Sequence, residues 1–355
     1  MNIDRSEAAP VIGGKRPGVM LYNLHALRAV AAILVIFVHT TDVLAPVGLR
    51  DTKFYFGIAG VDLFFVISGF VMTFTQDRKP IAPREFAIHR IIRVVPLYWT
   101  MTLAVFAAAM VVPSLFASET VTVAKLLQSL FFWPYMNDVG RIQPLLFVGW
   151  TLNYEFFFYL IFTLSIALCA GRQRVAPLLC VALLAAIVAL GAAVPDLPVA
   201  AQFFSNSVIL EFALGIVAGR LFARDALPRG AWAWALMAIG FVVLLGAEQA
   251  GLRAPRVLVQ GIAATVVVVA ALGIERDGHA LRGAFVQLLG AASYALYLSH
   301  PFVMKAFGIV SRKLPAGPLT WMLALLAMIA SVAVAIAIHK LYEVPVTKWL
   351  RRRAG

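Results

Sequence analysis

The sequence predicts an all-α integral membrane protein with about ten transmembrane helices and both termini in the cytoplasm. Of its 355 residues, 62% are hydrophobic and 13% are charged, and the mean hydropathy is +0.90. Apolar runs of about 18 residues or more recur along the chain, each long enough to cross a hydrocarbon core about 30 Å thick. This composition excludes a soluble enzyme and a disordered chain. Because the runs are continuously apolar rather than alternating, an outer-membrane barrel is excluded as well.

Charged residues and positions rich in Pro or Gly separate the apolar runs and set the boundaries of the predicted helices. The stretch 122–136 is also apolar, but it is short and contains Trp133-Pro134. We therefore predict that it forms an interfacial or re-entrant piece of an outer loop. The ten predicted spans are 24–45, 56–75, 94–112, 150–169, 176–194, 204–222, 231–247, 256–274, 285–307 and 319–341.

The distribution of Lys and Arg predicts the orientation. With the N-terminus inside, the predicted inner segments hold 20 basic residues and the outer segments hold nine, which is the bias expected of cytoplasmic loops. The net charge of +13 is thus explained by topology rather than by nucleic-acid binding. We expect a cytoplasmic tail over 1–20, one transmembrane unit over 21–345 and a basic cytoplasmic tail over 346–355. The two cysteines lack a metal-type spacing, so no metal site is expected.

Four ionisable residues lie at a similar predicted depth, within roughly 7 to 11 Å of the outer boundary. They are His39, Asp62, Glu155 and His300, one on each of four predicted helices. Ionisable groups inside a membrane are costly and mark functional sites. Each histidine alone is also explained by hydrogen bonding between helices, and each carboxylate alone by pairing with a basic group. Their common depth favours a shared site. Glu211 lies somewhat deeper and is a candidate for a supporting or acceptor-binding role.

Three arginines mark the cytoplasmic side. Arg28 and His39 are 11 residues apart. This spacing puts two residues on nearly the same face of a helix, about 16 Å apart along its axis. Arg90 and Arg93 share a face through their spacing of three, and forked guanidinium donors suit phosphate groups. The alternative is that these arginines are ordinary positive-inside residues.

Five segments, in order along residues 21–345, resemble the membrane-bound acyltransferase 3 family, whose members O-acylate bacterial surface polysaccharides, exopolysaccharides, nodulation factors and some secreted small molecules. The first is Arg28 followed after ten residues by His39. The others are Gly60-Val-Asp62 through Ser68-Gly-Phe70, Arg90-Ile-Ile-Arg93 through Tyr98, Trp150-Thr-Leu-Asn-Tyr-Glu155, and Ser293 through His300-Pro301. We expect the protein to lack the additional C-terminal esterase-like domain that some members carry.

The resemblance implies an O-acyltransferase in the bacterial inner membrane that uses cytoplasmic acyl-coenzyme A, with acetyl as the first candidate, and has no tightly bound cofactor. The acceptor it implies is a hydroxyl of a glycan or lipid-linked saccharide at the outer side. We expect the coenzyme A phosphates to bind Arg28, Arg90 and Arg93, and His39 to act as the general base.

A carboxylate, Asp62 or Glu155, is expected to orient His39, while His300 or a nearby hydroxyl polarises the thioester oxygen. An acyl-His intermediate is the competing chemical route. The competing function is that of a transporter or flippase for a glycan or lipid-linked substrate, in which the buried charges form a pathway. The sequence does not set the oligomeric state.

Overall fold

The computed structural model describes residues 20–49, 54–113, 120–250 and 254–354, and over these residues the protein is built from helices. The predicted N-terminal tail lies outside the described residues except for its last position. Two π-helical turns, Val257–Gly261 and His339–Glu343, precede α10 and α14. The helices are α1 Tyr22–His39, α2 Ala59–Arg78, α3 Pro83–Val111, α4 Val123–Leu130, α5 Trp150–Leu168, α6 Ala176–Ala193, α7 Val199–Phe204, α8 Leu210–Ala223, α9 Gly230–Gln249, α10 Ile262–Arg276, α11 Ala284–Ala291, α12 Ser293–Ser311, α13 Pro318–Ile338 and α14 Val344–Ala354.

Eight helical segments of the described chain are long and apolar enough to cross a membrane, which confirms a multi-pass, all-α membrane protein. The predicted spans 204–222 and 285–307 are not among them. The first is divided because the Asn206 side chain accepts a hydrogen bond from the Val208 amide (3.0 Å) and caps a new helical start. The second is divided at Ala292. The total of ten spans and the orientation of the termini therefore stay predictions.

Helix α3 begins earlier than the sequence predicts. The apolar run predicts a span from residue 94, whereas the helix starts at Pro83 and runs for 29 residues. Proline suits the first turn of a helix, and the Arg and Glu residues that follow have good helix propensity. Arg90 and Arg93 consequently lie on a continuous helix, not in a loop, and their guanidinium groups have fixed positions relative to the bundle.

Helix α2 lies in the centre of the bundle, where it packs against α1, α8 and α10. Its backbone is in direct contact with that of α8, because a Cβ atom at Gly69 would clash with the carbonyl oxygen of Phe212, and one at Gly215 with that of Val66. Close approach of this kind is a common way for membrane helices to associate.

The peripheral helices α6, α9 and α13 carry exposed apolar side chains such as Leu190, Val242 and Leu325. A lipid-facing surface has this character.

The predicted interfacial stretch 122–136 contains α4, whose eight residues span only about 12 Å. Ser129 fixes this helix to its neighbours. Its carbonyl oxygen accepts from the Tyr98 hydroxyl on α3 (3.0 Å), and its side-chain oxygen accepts from the Leu145 amide (3.0 Å). The segment therefore packs against the end of the bundle without crossing it.

Candidate active site

Two histidines from different helices meet at one end of the bundle. His39 is the last residue of α1 and His300 lies on α12, and the His300 Nε2 atom is 3.2 Å from the His39 Nδ1 atom. Each Nδ1 atom also faces a backbone carbonyl of its own helix, that of Val35 for His39 (3.0 Å) and that of Leu296 for His300 (3.0 Å). His300 is fully buried, whereas His39 is half-buried.

This hydrogen-bond pattern assigns the tautomers. A carbonyl oxygen only accepts, so in the neutral rings both Nδ1 atoms carry the hydrogen. His300 Nε2 then accepts from the Nδ1–H group of His39, which it shares with the Val35 carbonyl. The lone pair of His39 lies on Nε2, the nitrogen that none of the described residues occupies. An imidazole with this nitrogen available is equipped to act as a general base.

Asp62 is held by Arg256, and not by His39. The Asp62 carboxylate is fully buried and accepts from Arg256 Nε (2.8 Å) and Nη2 (2.6 Å). Glu211 lies beside Asp62, also fully buried, and among the described residues neither of its carboxylate oxygens has a hydrogen-bond partner. Arg256 caps the π-helical turn Val257–Gly261. The sequence analysis left open that Asp62 pairs with a basic group, but it did not identify Arg256, which it placed at the start of a predicted span next to an outer loop.

Glu155 likewise hydrogen-bonds to residues other than His39. Its Oε1 atom accepts from the Tyr159 hydroxyl (2.5 Å) and from the Ser68 hydroxyl (3.1 Å). Tyr159 follows Glu155 by one turn of α5, and Ser68 lies on α2. Within the described part of the chain, the side chain that hydrogen-bonds to a His39 ring nitrogen is therefore that of His300, and the two predicted carboxylates bind elsewhere.

A cavity with about 790 Å³ of empty space lies between α1, α2, α3, α5 and α12. The cavity brings together the three arginines that the sequence assigns to phosphate binding. Its charged and hydroxyl-bearing lining residues are Arg28, Arg90, Arg93, Glu155, Ser68, Thr151, Tyr159, Tyr294 and Tyr297.

The three arginines have different surroundings. Arg28 donates from Nε (3.3 Å) and Nη2 (3.1 Å) to the Ser293 hydroxyl. Arg90 lies with its guanidinium group over the ring of Tyr159, 5.9 Å from the centroid. Arg93 forms an ion pair with Glu343.

Glu343 is a functional neighbour that the sequence analysis missed. It belongs to the π-helical turn His339–Glu343, and its other carboxylate oxygen is 2.8 Å from Nδ1 of His339. The spacing of four between His339 and Glu343 is a signal that the sequence does contain. Glu343 therefore fixes Arg93 in place at the wall of the cavity.

The cavity and the histidine pair are adjacent, although the described lining does not include His39, His300 or Asp62. Tyr297 lines the cavity and lies one turn before His300 on α12, with the two ring centroids 6.1 Å apart. Its hydroxyl donates to the Val148 carbonyl (2.8 Å). Along α1, the stretch from Arg28 to His39 covers about 16 Å. The bundle thus contains a cavity lined by arginines and, farther along α1, a histidine whose Nε2 atom has no hydrogen-bond partner among the described residues.

Comparison with known proteins shows the family of the chain. A family model described as an acyltransferase domain matches residues 21–340. The chain is 34% identical over 303 residues to the exopolysaccharide production protein ExoZ of Rhizobium meliloti (strain 1021), and the match covers 84% of this chain and 92% of that protein. No solved structure matches the chain. The family match includes every segment on which the resemblance rests, and the protein belongs to the acyltransferase 3 family.

Proposed function

We propose that the protein transfers an acyl group, with acetyl as the first candidate, from cytoplasmic acyl-coenzyme A to a hydroxyl of an exported glycan. The observation that carries this proposal is the Nε2 atom of His39, which has no hydrogen-bond partner among the described residues and follows, along α1, a cavity lined by three arginines. The similar protein is named for exopolysaccharide production, which supports an exopolysaccharide or its lipid-linked precursor as the acceptor.

The cavity suits the nucleotide end of the donor. Guanidinium groups bind phosphates through paired, charge-assisted hydrogen bonds, and Arg28, Arg90 and Arg93 present three of them to one space. The distance of about 16 Å from Arg28 to His39 along α1 is then bridged by the extended pantetheine arm. With the donor bound in this way, we expect the thioester to lie beside His39.

His39 performs the proton transfers. Its Nε2 atom removes the proton from the acceptor hydroxyl while the hydroxyl oxygen attacks the thioester carbon. The new ester bond forms, the carbon–sulfur bond breaks, and the proton passes from His39 to the departing sulfur, so that free thiol is released. In the competing route, the same Nε2 atom attacks the thioester first and forms an acyl-His intermediate.

His300 takes the orienting role that the sequence analysis gave to a carboxylate. Its Nε2 atom accepts from the His39 Nδ1–H group, which fixes the His39 ring and stabilises the imidazolium ion that forms during transfer. A role for His300 in polarising the thioester oxygen is less well supported, because its Nε2 lone pair already faces His39. Asp62 and Glu155 support the site through Arg256 and Tyr159.

We further propose ten crossings with both termini in the cytoplasm of the bacterial inner membrane. The excess of Lys and Arg in the predicted inner segments supports this orientation. It puts the arginine end of the cavity on the side that holds coenzyme A and the histidine pair on the side of the exported acceptor. Reporter fusions to the loops before α3 and after α4 test the orientation, since they should report opposite sides.

The acceptor is tested by chemical analysis of exopolysaccharide from cells that lack the protein, with complementation by wild type or His39→Ala. We expect ester-linked acyl groups to disappear in the deletion strain and to return with wild type alone, while the amount of polysaccharide changes little. A loss of polysaccharide with unchanged acylation of the remainder would instead favour a transporter or flippase.

The donor site is tested by acyl-coenzyme A binding to Arg90→Ala. Arg90 is the informative position, because substituting Arg93 would also leave the buried Glu343 carboxylate without its ion-pair partner. Arg84→Ala is the matched control, since Arg84 is exposed on the same helix. We expect weaker binding with Arg90→Ala and unchanged binding with Arg84→Ala. Equal losses would contradict the donor site.

A further inference from the structure

The C-terminal helix α14 carries a fourth arginine, Arg351, along α3, although Arg351 is not among the residues that line the cavity. Helix α14 packs against α3. Just before it, Tyr342 contacts Thr100 and Glu343 pairs with Arg93, so α14 runs back along α3 toward Arg90. The Nε atoms of Arg351 and Arg90 are both buried, and neither has a hydrogen-bond partner among the described residues. Two buried N–H donors with like charge therefore lie near one another on adjacent helices.

The contacts of the arginines give their order. Arg28 donates to Ser293, and Arg93 lies over the ring of the next residue, Tyr294. Arg93 also pairs with Glu343, directly before α14, and Arg351 lies farther along α14. Arg351 is thus at the end of the series farthest from Arg28, and Arg28 itself lies about 16 Å along α1 from His39.

Arg93 has the Glu343 carboxylate as its counter-charge. In the described part of the chain, no carboxylate forms an ion pair with Arg90 or Arg351.

We infer that Arg90 and Arg351 form a phosphate subsite for the part of the acyl donor most remote from its thioester, an inference that rests on the proposed function. Partly buried guanidinium groups without counter-charges are costly, and a phosphate between them supplies both the opposite charge and the missing acceptors. Coenzyme A carries a diphosphate next to its pantetheine arm and a separate phosphate on the ribose. The order of the arginines assigns the diphosphate to Arg28 and Arg93 and the ribose phosphate to Arg90 and Arg351.

The headgroup of an anionic phospholipid offers the same phosphate chemistry. The two sources are distinguished by measuring binding in nanodiscs made either of phosphatidylcholine alone or of phosphatidylcholine with phosphatidylglycerol. If the subsite holds the ribose phosphate of the donor, the effect of Arg351 on coenzyme A binding is the same in both lipids.

The experiment is titration of full-length protein with coenzyme A and with 3′-dephospho-coenzyme A, which lacks the ribose phosphate. The variants are Arg351→Ala, Arg351→Lys and, as the matched control, Arg352→Ala. Arg352 is the next residue on the same helix and is exposed, so its substitution removes the same charge away from the proposed subsite. Thermal unfolding of each variant checks that it is folded.

We expect wild type to bind coenzyme A about tenfold more tightly than the dephospho form. Arg351→Ala should weaken coenzyme A binding about tenfold and change binding of the dephospho form less than about twofold. The affinity of Arg351→Lys for coenzyme A should lie between those of wild type and Arg351→Ala, and the affinity of Arg352→Ala should match that of wild type. If Arg351→Ala does not fold, the comparison of wild type with Arg351→Lys on the two ligands gives the same test.

Three results would overturn the subsite while leaving the proposed function intact. They are equal binding of both ligands by wild type, equal weakening of both ligands by Arg351→Ala, and an effect of Arg351→Ala that occurs only with phosphatidylglycerol. Failure of folded wild type to bind either ligand is a different outcome, because it would overturn the proposed donor together with the subsite.

Discussion

Removing Arg256 should destabilise the protein strongly, because this arginine is the counter-charge of a buried carboxylate. Asp62 is 0% exposed and the Arg256 side chain is 25% exposed. The substitution Arg256→Leu deletes two charge-assisted hydrogen bonds, of 2.8 and 2.6 Å, and leaves Asp62 beside Glu211 without a cation. Removing one partner of a buried ion pair costs about 3–5 kcal/mol. Since Arg256 is partly exposed, we expect a loss near the lower end, about 3 kcal/mol.

The assay is denaturant-induced unfolding in detergent, which gives the change in the free energy of unfolding. The double variant Asp62→Asn/Arg256→Leu removes the unpaired charge as well and should recover at least about 1.5 kcal/mol of the loss. Arg229→Leu is the control, because Arg229 pairs with Asp277 at the surface and such pairs contribute about 0–1 kcal/mol. Equal losses for Arg256→Leu and Arg229→Leu, or no recovery in the double variant, would refute this reasoning.

Three other substitutions test the site and its scaffold. His300→Phe retains a ring but removes the acceptor for the His39 Nδ1–H group, so the turnover number should fall roughly 10- to 100-fold with little change in donor affinity; an unchanged turnover number would remove His300 from the orienting role. Gly69→Leu forces a side chain against the Phe212 carbonyl and should cost at least about 1–3 kcal/mol of unfolding free energy or prevent folding, whereas wild-type stability would contradict the close contact of α2 with α8. Glu211→Gln should change the unfolding free energy by less than about 1 kcal/mol, because glutamine keeps the shape of the side chain and an N–H donor beside Asp62. A larger loss would show that the carboxylate itself is required.

Long apolar runs made most helices predictable. The predicted span 176–194 corresponds to α6 Ala176–Ala193, and 231–247 corresponds to α9 Gly230–Gln249. The predicted helix boundaries were wrong where charged residues form the end of a helix. The first turns of α3 are charged, so hydropathy misses them although their backbone is helical.

The candidate site was predictable in part. Helix periodicity fixes what lies on one face of one helix, and it placed Arg28 and His39 on a common stripe. It also placed His39 and His300 at one depth, but depth does not specify which pairs come into contact. His300 is the neighbour of His39 because of the way α12 packs against α1. Asp62 is not, because it binds Arg256 at the start of a π-helical turn.

The role of His39 is tested most directly by titrating acetyl-coenzyme A into detergent-purified wild type and His39→Ala while following binding and the release of free thiol. We predict that both proteins bind the donor with similar affinity and that wild type alone releases thiol slowly, because without an acceptor the Nε2 atom of His39 removes a proton from water, whose oxygen attacks the thioester and yields acetate and free thiol. Thiol release by folded His39→Ala at a rate near that of wild type would contradict the account.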